Sequence, residues 1–361
     1  MSAIKCAKTA AVVGKLNQSE QKAMERLWAR EFEGLRAGGM DENAATGKAS
    51  EQTMIAIRAL AAHARQVAQL QVQAQRKISH EAGQFRNRKG QADIGEFGQH
   101  LVNRVFFEAD ALFQLAQTEL GALIHEYRRK PVTGLRHNKA RMDLMLRELY
   151  GEDTGDAEAK IFAEAWKASA ERLRQLYNSV GGMVAKLEDW RLPQIHNAVA
   201  VAGMGLEKWK AFIRPLLDQA NMKSPLTGRV MSAGEFEEAL NSSYESIVSH
   251  GVAEETALLG QRGVSMWRRR FDPRFFVFKD ADSWLLYQRQ LGGGGDPFET
   301  MMGWVRSITQ DIAAMQHLGP SADATIVWMA GADGVEGGMI FSEALRAGRG
   351  EKSLFPPEND L

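Results

Sequence analysis

The stretch "EDWRLPQIHNAVAVAGMGLEKWKAFIRPLLD", residues 188–218, gathers residue types that chemistry often uses: His196 beside Asn197, two tryptophans, Trp190 and Trp209, and a basic helical segment. A histidine can move protons or bind a metal when a nucleophile, a carboxylate or a second ligand stands near it. The window offers no cysteine, no second histidine and no elbow serine. The expected role of His196 is therefore a hydrogen-bonded ring in an interhelical corner, with Pro193 turning the chain and Trp190 and Trp209 as apolar anchors. A catalytic His196 is the less favoured reading.

The second chemical feature is "RGVSMWRRRFDPR", where Arg262, Arg268, Arg269, Arg270 and Arg274 flank Trp267 and Phe271. Arginines interleaved with aromatics can clamp phosphates and stack on bases, or pin carboxylates of neighbouring helices. Lysine plus arginine and aspartate plus glutamate number 45 each, so no overall field attracts a polyanion. Arg268, Arg269 and Arg270 are accordingly read as protein-contact residues, and nucleic acid as the less favoured partner.

Other patterns carry less. His80-Glu81 and His125-Glu126 lack the second histidine that a zinc-peptidase helix places at the fifth position. Glu152, Asp153, Asp156 and Glu158 lack the alternation and glycine of an EF-hand loop, and read as a polar loop and helix start. The glycines at 292–295 are followed by Asp296-Pro297 instead of Gly-Lys-Ser/Thr, so a hinge and helix cap explain them without a phosphate. No Gly-x-Ser-x-Gly elbow occurs. Catalytic residues, metal ligands and cofactors are all assigned as none, and an enzyme is the less favoured class.

The elements that must position these residues read as helices throughout. Asn17 and Glu20 have capping-box spacing ahead of a helix that stops at Gly38-Gly39. Ile57, Leu60, Ala64, Val67, Gln71, Ala74 and Ile78 alternate by three and four, a thin coiled-coil-like seam; Val102, Phe106, Ala109, Phe113, Ala116, Leu120, Leu123 and Tyr127 form a stronger one. The two predict an antiparallel helical hairpin over residues 42–130. Beyond it, Asp156 is a predicted N-cap with an end at Gly181, and Ser232 and Glu235 predict a second capping box with an end near Gly251. Phe275–Phe278 is a short β-prone run, with helix from about Asp280. Asp296, Pro297 and Gly319 bracket the cleanest helix in the chain. The fold class expected is mainly α: an elongated helical hairpin followed by a compact helical region, with at most a short strand element. The expected division is residues 1–130, 131–251 and 252–330, then a loosely ordered tail, 331–361.

Composition sets the outer bounds. A chain of 361 residues, 44% of them hydrophobic, can bury a sizeable core, and its one cysteine, Cys6, excludes an intramolecular disulfide framework. The N-terminal apolar stretch, Ala10–Val13, is too short for a secretory signal core, and no apolar run reaches the roughly 20 residues of a transmembrane helix. Membrane contact is expected only through an assembled or amphipathic structure.

Five segments, taken in order, carry a resemblance. "LYGEDTGDAEAKIFAEAW", "YNSVGGMVAKLEDWRLPQIHN", "GLEKWKAFIRPLLD", "RFFVFKDADSWLLYQRQLGGG" and "ITQDIAAMQHLGP" resemble segments of large virion proteins of tailed bacteriophages and prophages. The likeness covers roughly residues 131–320 and contains no catalytic motif. It implies an internal or ejection-type structural protein, located in the virion after synthesis in the host cytoplasm. Its partners would be itself, as a homo-oligomer, or other virion proteins. Members of that group are often much longer, with other modules fused; a cell-wall hydrolase carried by the particle is the alternative.

Overall fold

The computed structural model describes residues 18–86, 88–90, 93–128, 139–184, 186, 191–223, 230–249, 276–292, 296–322, 324–325 and 329. Among them are eleven α-helices and no strand, so the chain is mainly α. The helices are α1 (Gln18–Ala37), α2 (Glu42–Ala82), α3 (Ile94–Glu119), α4 (Gly121–Arg128), α5 (Lys139–Leu149) and α6 (Ala157–Ser179). They continue with α7 (Ala198–Met204), α8 (Leu206–Ile213), α9 (Ala233–Val248), α10 (Ala281–Leu291) and α11 (Pro297–Leu318), and a 3-10 turn, Arg214–Leu216, extends α8. The predicted extended run contributes only an antiparallel bridge between Phe278 and Leu217.

Helix boundaries follow the local chemistry of orphaned backbone groups. Asp156, Asp280 and Asp296 accept from Ala159, Ser283 and Phe298 backbone N–H groups respectively. At Ser232 both halves of the capping box form: Glu235 N–H donates to Ser232 Oγ at 3.3 Å, and Ser232 N–H to Glu235 Oε2 at 2.7 Å. Helix α1 begins one residue after Asn17, which lies outside the described residues, as do Gly251 and the tail from 331.

The chain divides into two compact units, and neither is contiguous. The first takes its described residues from within 1–64, 187–264 and 272–295, the second from within 65–186 and 296–361. Helix α2 contributes residues to both.

In the second unit α3 packs most extensively on α11, and α6 packs on both α5 and α11. The stronger predicted seam is the buried face: Val102, Ala109, Phe113, Ala116, Leu120 and Leu123 are buried and Phe106 half-buried. Its principal cover is α11, whose Val305, Ile308, Ile312 and Met315 are buried in turn. Arg306 lies over the Phe113 ring at 4.7 Å, and Trp166 meets Trp304 edge-on at 5.7 Å.

The thinner seam does something the apolar pattern does not predict. Gln71 Nε2 donates to Thr325 Oγ1 at 2.6 Å and to Leu318 O at 3.4 Å, while Ser321 N–H donates to Gln71 Oε1 at 2.8 Å. One amide thus satisfies the turn that ends α11. Gly319 sits at φ +84, and a Cβ there would lie 2.6 Å from Gln71 Oε1, so only glycine allows both the left-handed backbone and this approach.

Gln71→Ala removes the acceptor of the Ser321 N–H, while Leu318 O keeps its bond from Thr325 Oγ1, and is expected to lower the stability of this unit by about 1–3 kcal/mol. Denaturant melts of the variant and the parent chain measure the difference, and equal midpoints would show that the amide does not hold the α11 terminus.

Candidate functional site

Residues 191–218 lie in the first unit. Residues 191–197 run without regular structure into α7, where Asn197 caps the helix by accepting from Ala200 N–H at 3.1 Å. Gly205, at φ +78, ends α7 and lets α8 start at the next residue, a reversal strained for any residue with a Cβ. Helix α8 then presents Trp209 and Ile213 inward, each at 0% exposure, and Leu216 and Leu217 are buried after it; Phe212 is half-buried.

Four bonds stitch 194–197 to distant parts of the chain. Gln194 Nε2 donates to Phe276 O at 2.7 Å, Gln288 Nε2 to Ile195 O at 3.4 Å, and Asn197 N–H to Leu291 O at 2.6 Å. The fourth joins His196 Nδ1 to Tyr287 Oη at 2.7 Å. Alternation along the extended segment sends Gln194 and His196 into the unit and leaves Ile195 at 41% exposure outside.

His196 sits among aromatic rings, edge-on to Tyr287 at 5.6 Å and to Phe276 at 6.0 Å. Phe278 lies 5.5 Å and Phe212 6.4 Å from the Tyr287 ring, and Phe276 and Tyr244 lie 6.1 and 5.7 Å from Trp209. Burial pushes the His196 pKa down to about 4 and the Tyr287 pKa well above its ordinary value. The Trp209 indole N–H lacks a hydrogen bond of ordinary geometry, yet it acts on the Tyr287 hydroxyl, opposing burial. An indole N–H only donates, so it favours a hydroxyl oxygen facing it and a hydroxyl proton pointing to His196. His196 Nδ1 then accepts, and its ring is neutral.

Lys210 and Arg214 are matched by carboxylates. Lys210 Nζ lies 3.3 Å from Glu207, 3.5 Å from Glu237 and 3.0 Å from Asn241 Oδ1, while Arg214 pairs with Glu237. The Arg214 guanidinium, with Lys210 behind it, holds the Glu237 carboxyl below its usual pKa. These charges fasten α8 to α9 instead of facing a ligand.

Of the residues singled out from sequence, the structure brings together His196 and Trp209 around Tyr287, with Pro193 buried in the same segment. Trp190 and Arg268, Arg269 and Arg270 lie outside the described residues. Sequence reasoning missed Tyr287, Phe276, Gln194 and Gln288. Tyr287 lies 91 residues from His196, and no local spacing ties the two. No group of three or more His, Cys, Asp or Glu side chains among the described residues is placed to hold a metal ion. Among the described residues the hydrogen-bond partner of the His196 ring is the Tyr287 hydroxyl, and the pair ties the 194–197 segment to α10.

His196→Gln keeps an acceptor toward Tyr287 and is expected to leave the melting temperature within a few degrees of the parent. Trp209→Ala removes a fully buried ring and should cost about 3–5 kcal/mol. A histidine change that abolished a measured activity at unchanged stability would restore a catalytic role.

Compared with known proteins, the chain matches no family model, no curated protein and no solved structure, so the geometry of the joint stands without a relative beside it.

Proposed function

We propose that the chain is an internal structural protein of a tailed-bacteriophage or prophage virion, acting by assembly and in genome delivery. The observation that carries this reading is the closed joint at residues 191–218. The stretch of sequence richest in chemical residue types is spent on holding helices together. The resemblance of five segments over roughly residues 131–320 to virion proteins gives the joint its context. A mainly helical chain with a single cysteine suits a component that packs into a particle and is remodelled on delivery, because helix contacts can be exchanged without breaking covalent bonds. No helix among the described residues is long and apolar enough to cross a membrane.

Particles purified by density from a host carrying the gene, digested and read by mass spectrometry, are expected to contain the chain at stoichiometric level. Purified chain is expected to self-associate in light scattering and to release no muropeptides from peptidoglycan. Absence from particles would overturn the structural role, and released muropeptides would make the chain a cell-wall hydrolase.

A further inference from the structure

We infer that the 191–197 joint is an acid-released latch: protonation of His196 unseats the segment from α10 and frees α7 and α8 to move. The device is a property of this fold and holds whatever role the chain has in a particle.

The geometry sets the polarity of the latch. Tyr287 is at 0% exposure and has one well-placed partner for its proton, His196 Nδ1, 2.7 Å away. A proton on that nitrogen turns the acceptor into a second donor. The hydroxyl must then rotate its own proton toward the Trp209 indole N–H, and two donors meet. The new imidazolium would also stand among aromatic edges instead of beside a carboxylate.

The charged side chains among the described residues do not relieve it. Helix α7, "AVAVAGM", and residues 276–278 carry no ionisable side chain. From α8 and α9, Glu207, Lys210, Arg214 and Glu237 are engaged with one another. At the start of α10, Asp280 caps Ser283; Asp282 and Arg289 lie on its exposed face, as does Lys208 on α8. Lys279 is exposed, and within the segment itself Arg191 is half-buried. None of these moves the His196 pKa, whose lowering has burial as its cause.

The sign follows from linkage. The folded-state pKa, about 4, lies below the ordinary histidine value of 6.5, so the open joint binds the proton more readily. The closed joint keeps its full stability above about pH 6.5 and loses it as pH falls toward 4. The closed-to-open ratio drops about ten-fold per pH unit in that window, by up to a few hundred-fold in all.

Hydrogen exchange of the full chain, expressed as protection factors between pH 7 and 4, reads the latch at two amides. These are Asn197, bonded to Leu291 O, and Val201, bonded to Asn197 O. Protection at both is expected to fall through the window in the parent and to stay level in His196→Gln. His317, in the other unit, is also held near pKa 4 by burial and then Arg104, so His317→Gln must preserve the acid response at Asn197. An identical fall in His196→Gln, or no fall in the parent, overturns the latch. Should His196→Gln fail to fold, an NMR titration of the parent's histidine side chains decides. A His196 pKa near 4, accompanied by loss of Asn197 protection, supports the latch; a pKa near 6.5 with protection intact overturns it.

Discussion

A phenol hydroxyl in an apolar interior must find an acceptor, and the arrangement of the first unit depends on Tyr287 finding His196. An unpaired buried hydroxyl costs about 1–3 kcal/mol, comparable to the whole benefit of packing one further side chain. Satisfying it requires the extended segment 194–197 to lie along α10. That placement in turn lets the Gln194 and Gln288 side-chain amides donate to Phe276 O and Ile195 O, and Asn197 N–H to Leu291 O. The aromatic rings then close over the pair, each edge-to-face contact adding about 0.5–1.5 kcal/mol beyond its burial. The bond and the box are mutually dependent, because the rings exclude the water that would otherwise compete for the hydroxyl.

The second unit solves the same problem differently. Its helices α3 and α6 bury apolar faces, aliphatic and aromatic, against α11. Among the polar side chains there, Gln71 accepts from Ser321 N–H and shares Leu318 O with Thr325 Oγ1 where α11 ends. In both units polar side chains reach across the sequence to complete backbone bonding where a regular element stops. The eleven helices among the described residues have many such ends, and each must be satisfied.

Much of the fold was legible because helix boundaries are local chemistry. Asp156, Ser232 with Glu235, Asp280, and Asp296 with Gly319 each declare an end through residues within four positions, and each end is where the spacing put it. The buried stripe of α3 was equally visible, since a three-four repeat reports which face is apolar. What covers that face was not, because periodicity carries no information about a partner some 200 residues away. The same holds for the site. His196 and Trp209 announce an anchored corner, but Tyr287 and Phe276 are ordinary core residues until the chain brings them together. Gln71 read as a weakness in its seam, and only the position of Thr325 and Ser321 makes it a strength.

The central claim is that His196 and Tyr287 act as one energetic unit within a closed joint. A double-mutant cycle with His196→Leu, Tyr287→Phe and the pair together, read by denaturant unfolding of the full chain, measures this most directly. The joint described here predicts that the two losses are strongly non-additive, with a coupling of about 1 kcal/mol or more. Losses that add to within a few tenths of a kcal/mol would show that the two groups do not support one another, and would contradict the account.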